Sequence, residues 1–235
     1  MRILYMVFRN LLRIPIMWIG LMYYYFTADK HPQKGYDHVK KIAEYGIRTG
    51  NVKIDAQGLE NIPKESGFIY YPNHQGMFDV MVFLHISPFP FGFVAKKEVK
   101  DIHVLKQVLR ITKSEAIDRS NIKQSLGVIN RVAEGVKKGH NYLLFAEGTR
   151  SRKGNQLLDF KGGSFKAAQK ARCPIVPCAL IDSFIPFDER SIRKTVVKIR
   201  VLKPLYYEDY KEMKSTEIAE EVKRRIQEAI DKELA

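Results

Sequence analysis

Short apolar runs separated by stretches of helical period limit what this chain of 235 residues can fold into. Val52 to Ala56 sets outward Lys53 and Asp55 between apolar neighbours, the alternation of a half-buried strand. Phe68 to Tyr71 is a short apolar run stopped by Pro72, and Phe91 to Ala95, Tyr142 to Phe145 and Ile175 to Ile181 are comparable runs. A brief strand is expected at Ala116-Ile117, and Thr195 to Leu202 alternates again. Between them the period changes. Tyr36 to Thr49 places Val39, Ile42, Ala43 and Ile47 at helical spacing before Gly50. Met77 to Ile86, Ile102 to Ile111 and Phe165 to Ala171 also read as helices, and Thr216 to Leu234 as a closing amphipathic one. The clearest helix is Asn121 to Lys138, with Ile122, Leu126, Ile129, Val132, Ala133 and Val136 on one face. Strands separated by helices predict an α/β fold, a central and largely parallel sheet flanked by helices. The length suits one sizeable domain, or one domain with a small appendage.

The appendage is N-terminal. Residues 3 to 28 are apolar but interrupted by Arg9, Asn10 and Arg13, and the longest unbroken stretch, Ile14 to Phe26, has thirteen residues. A spanning helix needs about 20. Trp18 and Tyr23-Tyr24-Tyr25-Phe26 are residues that favour the headgroup level, while Arg2, Arg9 and Arg13 would meet anionic lipid. No Ala-x-Ala site follows to suggest a signal peptide, only Thr27 to Lys30. Residues 1–30 are therefore expected to be a membrane-associated helical segment, in-plane or re-entrant, and residues 31–235 the soluble domain. A single tilted span and a buried helix pair are the alternatives. The formal charge of +14, from 40 Lys and Arg against 26 Asp and Glu, agrees with an anionic partner but does not choose among lipid, phosphate and nucleic acid. Cys173 and Cys178 match no zinc or redox spacing and read as residues of an apolar strand.

Three segments break local rules in ways that suggest chemistry. In Asn73-His74-Gln-Gly-Met-Phe-Asp79, the proline after Tyr71 ends the strand and puts His74 on the exit loop. Gly76 permits a tight turn, so that Asp79 in the first turn of the next helix can reach back to the imidazole. An Asp on one ring nitrogen fixes the tautomer and leaves the other free to accept a proton. In Leu144-Phe145-Ala-Glu147-Gly148-Thr149-Arg150-Ser151, a strand delivers a turn whose amides and guanidinium suit phosphate or carboxylate. Glu147 pairing with Arg150 in a solvated loop is the plainer account. In Ile117-Asp118-Arg119-Ser120, Arg119 either faces the same anion or pairs with Asp118. His31, His38, His85, His103 and His140 read as solvated or packed.

Taken together and in this order, these segments resemble the four blocks of the glycerolipid acyltransferase family. Its Asn-His-x-x-x-x-Asp block is matched by Asn73, His74 and Asp79, and its Phe-Pro-Glu-Gly-Thr-Arg-Ser block by Phe145 and Glu147 to Ser151, with Ala146 at the proline. Its Gly-x-x-Phe-Ile-x-Arg block is met only by Ile117 and Arg119, with Lys113 and Ala116 at the other two positions. Pro174 to Pro177 match a Val-Pro-Ile-Val-Pro-like strand, and Val94 to Glu98 and Phe160 to Phe165 are also similar. The likeness runs from about residue 52 to residue 181.

The resemblance implies a transferase that moves a fatty acyl group from an acyl thioester of acyl-carrier protein or coenzyme A. The acceptor would be the sn-2 hydroxyl of 1-acylglycerol 3-phosphate, giving phosphatidic acid. It implies His74 as general base and Asp79 as its orienting partner. It further implies Lys96, Arg119, Glu147, Gly148, Thr149 and Arg150 as the substrate-binding set, with Glu147 bracing its loop. No metal and no cofactor are implied. The expected partners are lysophosphatidic acid, acyl-CoA or acyl-carrier protein and an anionic membrane surface, with no nucleic acid. The expected location is the cytoplasmic face of the cell membrane, as a peripheral or monotopic protein. Another lysophospholipid or glycerol 3-phosphate is the alternative acceptor, and a catalytically silent lipid-binding protein the alternative class.

Overall fold

The strands join in a single seven-stranded sheet in a computed structural model that describes residues 1–235. In chain order they are β1 (Val52–Gln57), β2 (Ile69–Pro72), β3 (Phe91–Lys96), β4 (Glu115–Ile117), β5 (Asn141–Leu143), β6 (Ile175–Ile181) and β7 (Thr195–Val201). Their order across the sheet is β1-β7-β6-β2-β5-β3-β4. The five strands from β6 to β4 are mutually parallel, β7 is antiparallel to β6, and β1 runs parallel to β7. The helices are α1 (Arg2–Arg9), α2 (Ile14–Thr27), α3 (Pro32–Thr49), α4 (Asp79–Ile86), α5 (His103–Ile111), α6 (Ile122–Lys137), α7 (Gly162–Ala171), α8 (Ile185–Asp188), α9 (Tyr207–Tyr210) and α10 (Ser215–Leu234).

Two cores cover the two faces of the sheet. In β2, Tyr70 points to one face and Ile69 and Tyr71 to the other, so every side chain of the strand is buried. The Tyr70 face packs Phe78, Val82 and Phe83 beside Val39, Ala43 and Ile47 of α3. The Ile69 face packs Val128 and Val132 of α6, Phe165 of α7 and Val222 of α10. The connections after β2 and after β5 leave in opposite directions across the sheet, towards β3 and towards β6. At such a switch the carboxyl ends of neighbouring strands open a crevice, the usual place for a ligand in parallel α/β sheets.

Several boundaries depart from the sequence reading. Helix α4 starts at Asp79 rather than Met77, because residues 77 and 78 form a turn that carries the chain round. Helix α3 starts at Pro32, where a missing N–H costs nothing. The short helices α8 and α9 and the 3-10 turns at Leu59–Asn61 and Lys97–Asp101 have too few residues to show a period.

The N-terminal segment is two helices that meet at 93° across residues 10 to 13, and no helix is long and apolar enough to cross a membrane. Arg2 does not face outward as the sequence suggested. It is 1% exposed and donates to the carbonyls of Gly50 and Arg193 and to the Thr195 hydroxyl at 2.8 to 3.0 Å. The carbonyl past the end of α3 needs a partner, and the guanidinium supplies one. Arg9 and Asn10 similarly bind Thr49, and Arg13 lies over the Tyr45 ring. The apolar side chains turn the other way: Leu4, Phe8, Leu12, Ile16, Ile19 and Phe26 are exposed, Leu12 by 92%.

Candidate active site

The exit loop of β2 and the loop after β5 lie side by side and hold His74 between them. Asn73 clamps the first to β6, its amide binding both backbone groups of Leu180 at 2.7 and 2.9 Å. The backbone of His74 is then gripped from the second loop. Its N–H donates to Glu147 Oε1 at 2.9 Å, and its carbonyl accepts from the Ser151 N–H at 2.9 Å. Phe145 lies flat against the imidazole, with ring centroids 3.8 Å apart and planes 19° from parallel.

Asp79 is fully buried and reaches back to His74, with Nδ1 2.7 Å from Oδ2. The turn that permits this contact passes close to the loop after β6. A Cβ on Gly76 would come within 3.3 Å of the Phe184 Cα. The Asp79 carboxylate also accepts from the N–H groups of Gln75 (2.8 Å) and Gly76 (3.1 Å) and from the Ser183 hydroxyl. So many donors fix its orientation in a buried place. With Nδ1 committed to Asp79, the imidazole can present Nε2 to an incoming hydroxyl, and the side chain keeps 17% of its surface open.

Glu147 is a brace rather than an open substrate ligand. It is 2% exposed, and its oxygens accept from the N–H groups of His74 and, at 3.2 Å, Leu158. Its pairing with Arg150 is not found. Burial raises the Glu147 carboxyl above its usual range, and the two backbone donors offset this only in part. The folded chain therefore holds this proton longer than the unfolded chain. This group's contribution to stability falls as pH rises from the unfolded carboxyl range through the folded value. Glu147→Gln should flatten that part of the profile, read as the difference in urea midpoint between the two proteins from about pH 4 to 7. At neutral pH the amide offers one acceptor where two were used, so one part-buried N–H loses its bond at a cost of about 1 kcal/mol.

Gly148 has φ +73°, the left-handed turn its position requires, and leads to exposed Thr149 and half-buried Arg150. Arg150 has no ion pair within the chain and is available to an anion. Lys96 ends β3 and Arg119 follows β4, so these residues and His74 line one edge of the sheet in the strand order β2, β5, β3, β4. At about 4.8 Å per strand, Arg119 is some 14 Å along that edge from the histidine loop. The structure does not bring Lys96 or Arg119 onto the dyad. Lys96 is exposed and pairs with Glu98 at 3.0 Å. Asp118 is taken by Lys97 at 2.8 Å and by Ser120, leaving Arg119 exposed and unpaired.

The sequence reading missed Ser183, Gln75 and Asn155. Gln75 binds Ser183 and Asn155, and Asn155 binds Asp182, which ties three loops together behind Asp79. The one local sign was a polar Asp182-Ser183 pair directly after a wholly apolar strand. Concavity is no guide either. A broad depression of about 770 Å³ lies at the opposite end of the sheet, lined by Lys106, Lys113, Arg131 and Lys138.

The chain is similar to known proteins in sequence and in fold. The family model described as Acyltransferase matches residues 53–181. The chain is 31% identical over 187 residues to the 1-acyl-sn-glycerol-3-phosphate acyltransferase of Cocos nucifera, covering 76% of this chain and 60% of that one. It is 30% identical to the enzyme of that name from Saccharomyces cerevisiae, covering 72% and 57%. With the Escherichia coli enzyme it shares 29% identity, covering 83% and 84%. The chain thus spans rather more than half the length of the coconut and yeast relatives. The crystal structure of the 1-acyl-sn-glycerophosphate (LPA) acyltransferase PlsC from Thermotoga maritima superposes with a TM-score of 0.76. That match covers 100% of this chain and 98% of the other at 21% identity, a likeness of fold. Because that family model matches more than half of the chain, the chain belongs to the acyltransferase family.

Proposed function

We propose that this chain transfers a fatty acyl group from an acyl thioester to the sn-2 hydroxyl of 1-acylglycerol 3-phosphate, with His74 as general base. The carrying observation is the 2.7 Å contact between His74 Nδ1 and a buried, fully bonded Asp79, with 17% of the histidine side chain's surface open. The substrate assignment leans on the relatives' names, which specify 1-acyl-sn-glycerol-3-phosphate as the molecule acylated.

In the proposed reaction His74 Nε2 takes the proton of the acceptor hydroxyl as its oxygen bonds to the thioester carbonyl carbon. The resulting imidazolium donates through Nδ1 to Asp79, whose negative charge stabilises it. Collapse of the tetrahedral intermediate breaks the carbon–sulfur bond, and the imidazolium returns its proton to the departing thiolate. The products are phosphatidic acid and a free thiol, and the histidine is regenerated. Arg150, with the Gly148–Thr149 backbone, would hold the acceptor's phosphate. Lys96 and Arg119 are proposed further along the edge, as outer attraction for the same anion. Residues 1–30 are proposed as the anchoring segment and 31–235 as the acyltransferase domain, on the cytoplasmic face of the cell membrane. The outward Leu4, Phe8, Leu12, Ile16 and Ile19 are the side chains for that role.

The direct test assays a panel of lysophospholipids and glycerol 3-phosphate, each with acyl-CoA and with acyl-carrier protein as donor. The phosphomonoester acceptor should be preferred; acylation of choline or ethanolamine lysophospholipids alone would overturn the assignment. Arg150→Ala should remove charge-assisted bonds of about 1.5–3 kcal/mol. That is a rise of about 10- to 150-fold in KM for the phosphorylated acceptor with the donor KM unchanged. An effect confined to the donor would contradict the role.

A further inference from the structure

Helix α6 carries its apolar stripe past the core. Ile129, Val132, Ala133 and Val136 are buried, yet Ile122 and Leu126 on the same side are 86% and 47% exposed, against the expectation that the whole stripe packs inward. Ile102 and Val104 at the start of α5 are likewise exposed, at 51% and 46%. Both first turns follow strands, β3 and β4, at their carboxyl ends, the end that bears His74. On the same exit loop and first turn as Ile122 stand Arg119 and Lys123, both exposed and neither in an ion pair. An isolated exposed isoleucine is ordinary, but four large apolar groups on adjoining loop tips amid free cations are the makings of an interface.

We propose that the β3 and β4 exit loops, with the first turns of α5 and α6, make a second contact with an anionic lipid bilayer. The proposal rests on the reading that the substrates are bilayer lipids. Four features favour a bilayer. The strand order places this rim at one edge of the sheet, while α1 is tied to the starts of β1 and β7 at the other edge. Because β1 and β7 run against the parallel set, their starts lie at the same end as the rim, as does the outward Leu12 beyond α1. The His74 loop after β2 lies between the two apolar patches, so a plane touching both would pass across the mouth of the site. The rim is also a set of projecting knobs with Lys and Arg that can extend to headgroups, the composition of an interfacial surface. A carrier protein, which would need a complementary docking face, is the competing occupant.

The test uses the full chain with Ile122→Cys labelled by an environment-sensitive nitrobenzoxadiazole thiol dye. The native cysteines do not compete: both are buried, and burial pushes the Cys173 thiol up to about 12 and that of Cys178 well above its usual value. Leu12→Cys reports the N-terminal helices. Leu59→Cys, beyond the end of β1 and hence at the far end of the sheet, serves as control. With vesicles of equal parts phosphatidylglycerol and phosphatidylcholine, labels at 12 and 122 should brighten at least twofold and shift to the blue. The label at 59 should not change. Response at 12 without response at 122, response at all three sites, or response at 122 to acyl-carrier protein but not to vesicles would each overturn the proposal. Turnover of detergent-dispersed lysophosphatidic acid by the same variant separates the two readings. Turnover with a silent label at 122 refutes the second contact alone. Insertion at 122 without turnover in the unlabelled protein supports the contact while removing the proposed reaction.

Discussion

His74→Ala should lower acyl transfer by about 10⁴-fold, the upper end of what a positioned general base contributes, while the protein stays folded. The large effect is expected because no other group is placed to take the proton. Asp79 is fully buried behind the imidazole, and Glu147 is committed to two backbone N–H groups. The fold should survive because the bonds that organise the loop belong to the His74 backbone, not its ring. The N–H to Glu147 and the carbonyl from Ser151 are available to alanine as well. Asp79 keeps Gln75, Gly76 and Ser183 as donors, so its charge is not stranded. Initial rates with lysophosphatidic acid and acyl-CoA, beside a thermal melt by circular dichroism, make the comparison. Turnover near the parent rate from a folded variant would remove His74 from the reaction.

Much of the fold was legible because each strand is short, apolar and fenced by a proline, a glycine or a change of period. Pro72 ends β2 and Gly139 follows α6. The contact of His74 with Asp79 was legible too, since a loop-to-helix bend at Gly76 is the arrangement that lets residues five apart meet. What sequence could not give is whatever depends on crossing the sheet. Ser183 lies 104 residues from Asp79, and Glu147 73 residues from His74, and only the order β6-β2-β5 makes them neighbours. Side-chain direction in the N-terminal helices was lost for a similar reason. Arg2 looked like a headgroup ligand until its partners, Gly50 and Thr195, came from elements 48 and 193 residues away. The apolar stripe of α6 misled in the opposite sense. Periodicity reports which residues share a face, not how far the sheet beneath that face extends.

Asp79→Asn should cost about a thousandfold in turnover with little loss of stability, and so separate the aspartate's charge from its geometry. An amide often flips the tautomer of a partner histidine by presenting its NH₂ to the ring. At this site the surroundings oppose the flip. The oxygen next to His74 also accepts the Gln75 N–H, so an NH₂ there would face a second donor. The other position meets the Ser183 hydroxyl, which also lies 3.1 Å from Gln75 Oε1. That hydroxyl can turn to donate to Gln75 and accept from the amide, and the Gly76 N–H, 3.1 Å from both oxygens, can keep its bond to the one beside His74, so the substituted side chain fits with its oxygen on His74. The tautomer is kept and the negative charge is lost. Two unit charges about 4 Å apart at an effective dielectric near 20 attract by about 4 kcal/mol. Removing that from a transition state in which the imidazole becomes cationic raises the barrier by a similar amount, about three powers of ten. Asp79→Ala, which loses the ring's orienting acceptor as well, should fall further, towards the level of His74→Ala. Equal rates for the amide and alanine variants would mean that orientation contributes nothing beyond charge. An amide variant at the parent rate would show that no cation develops on His74 at all.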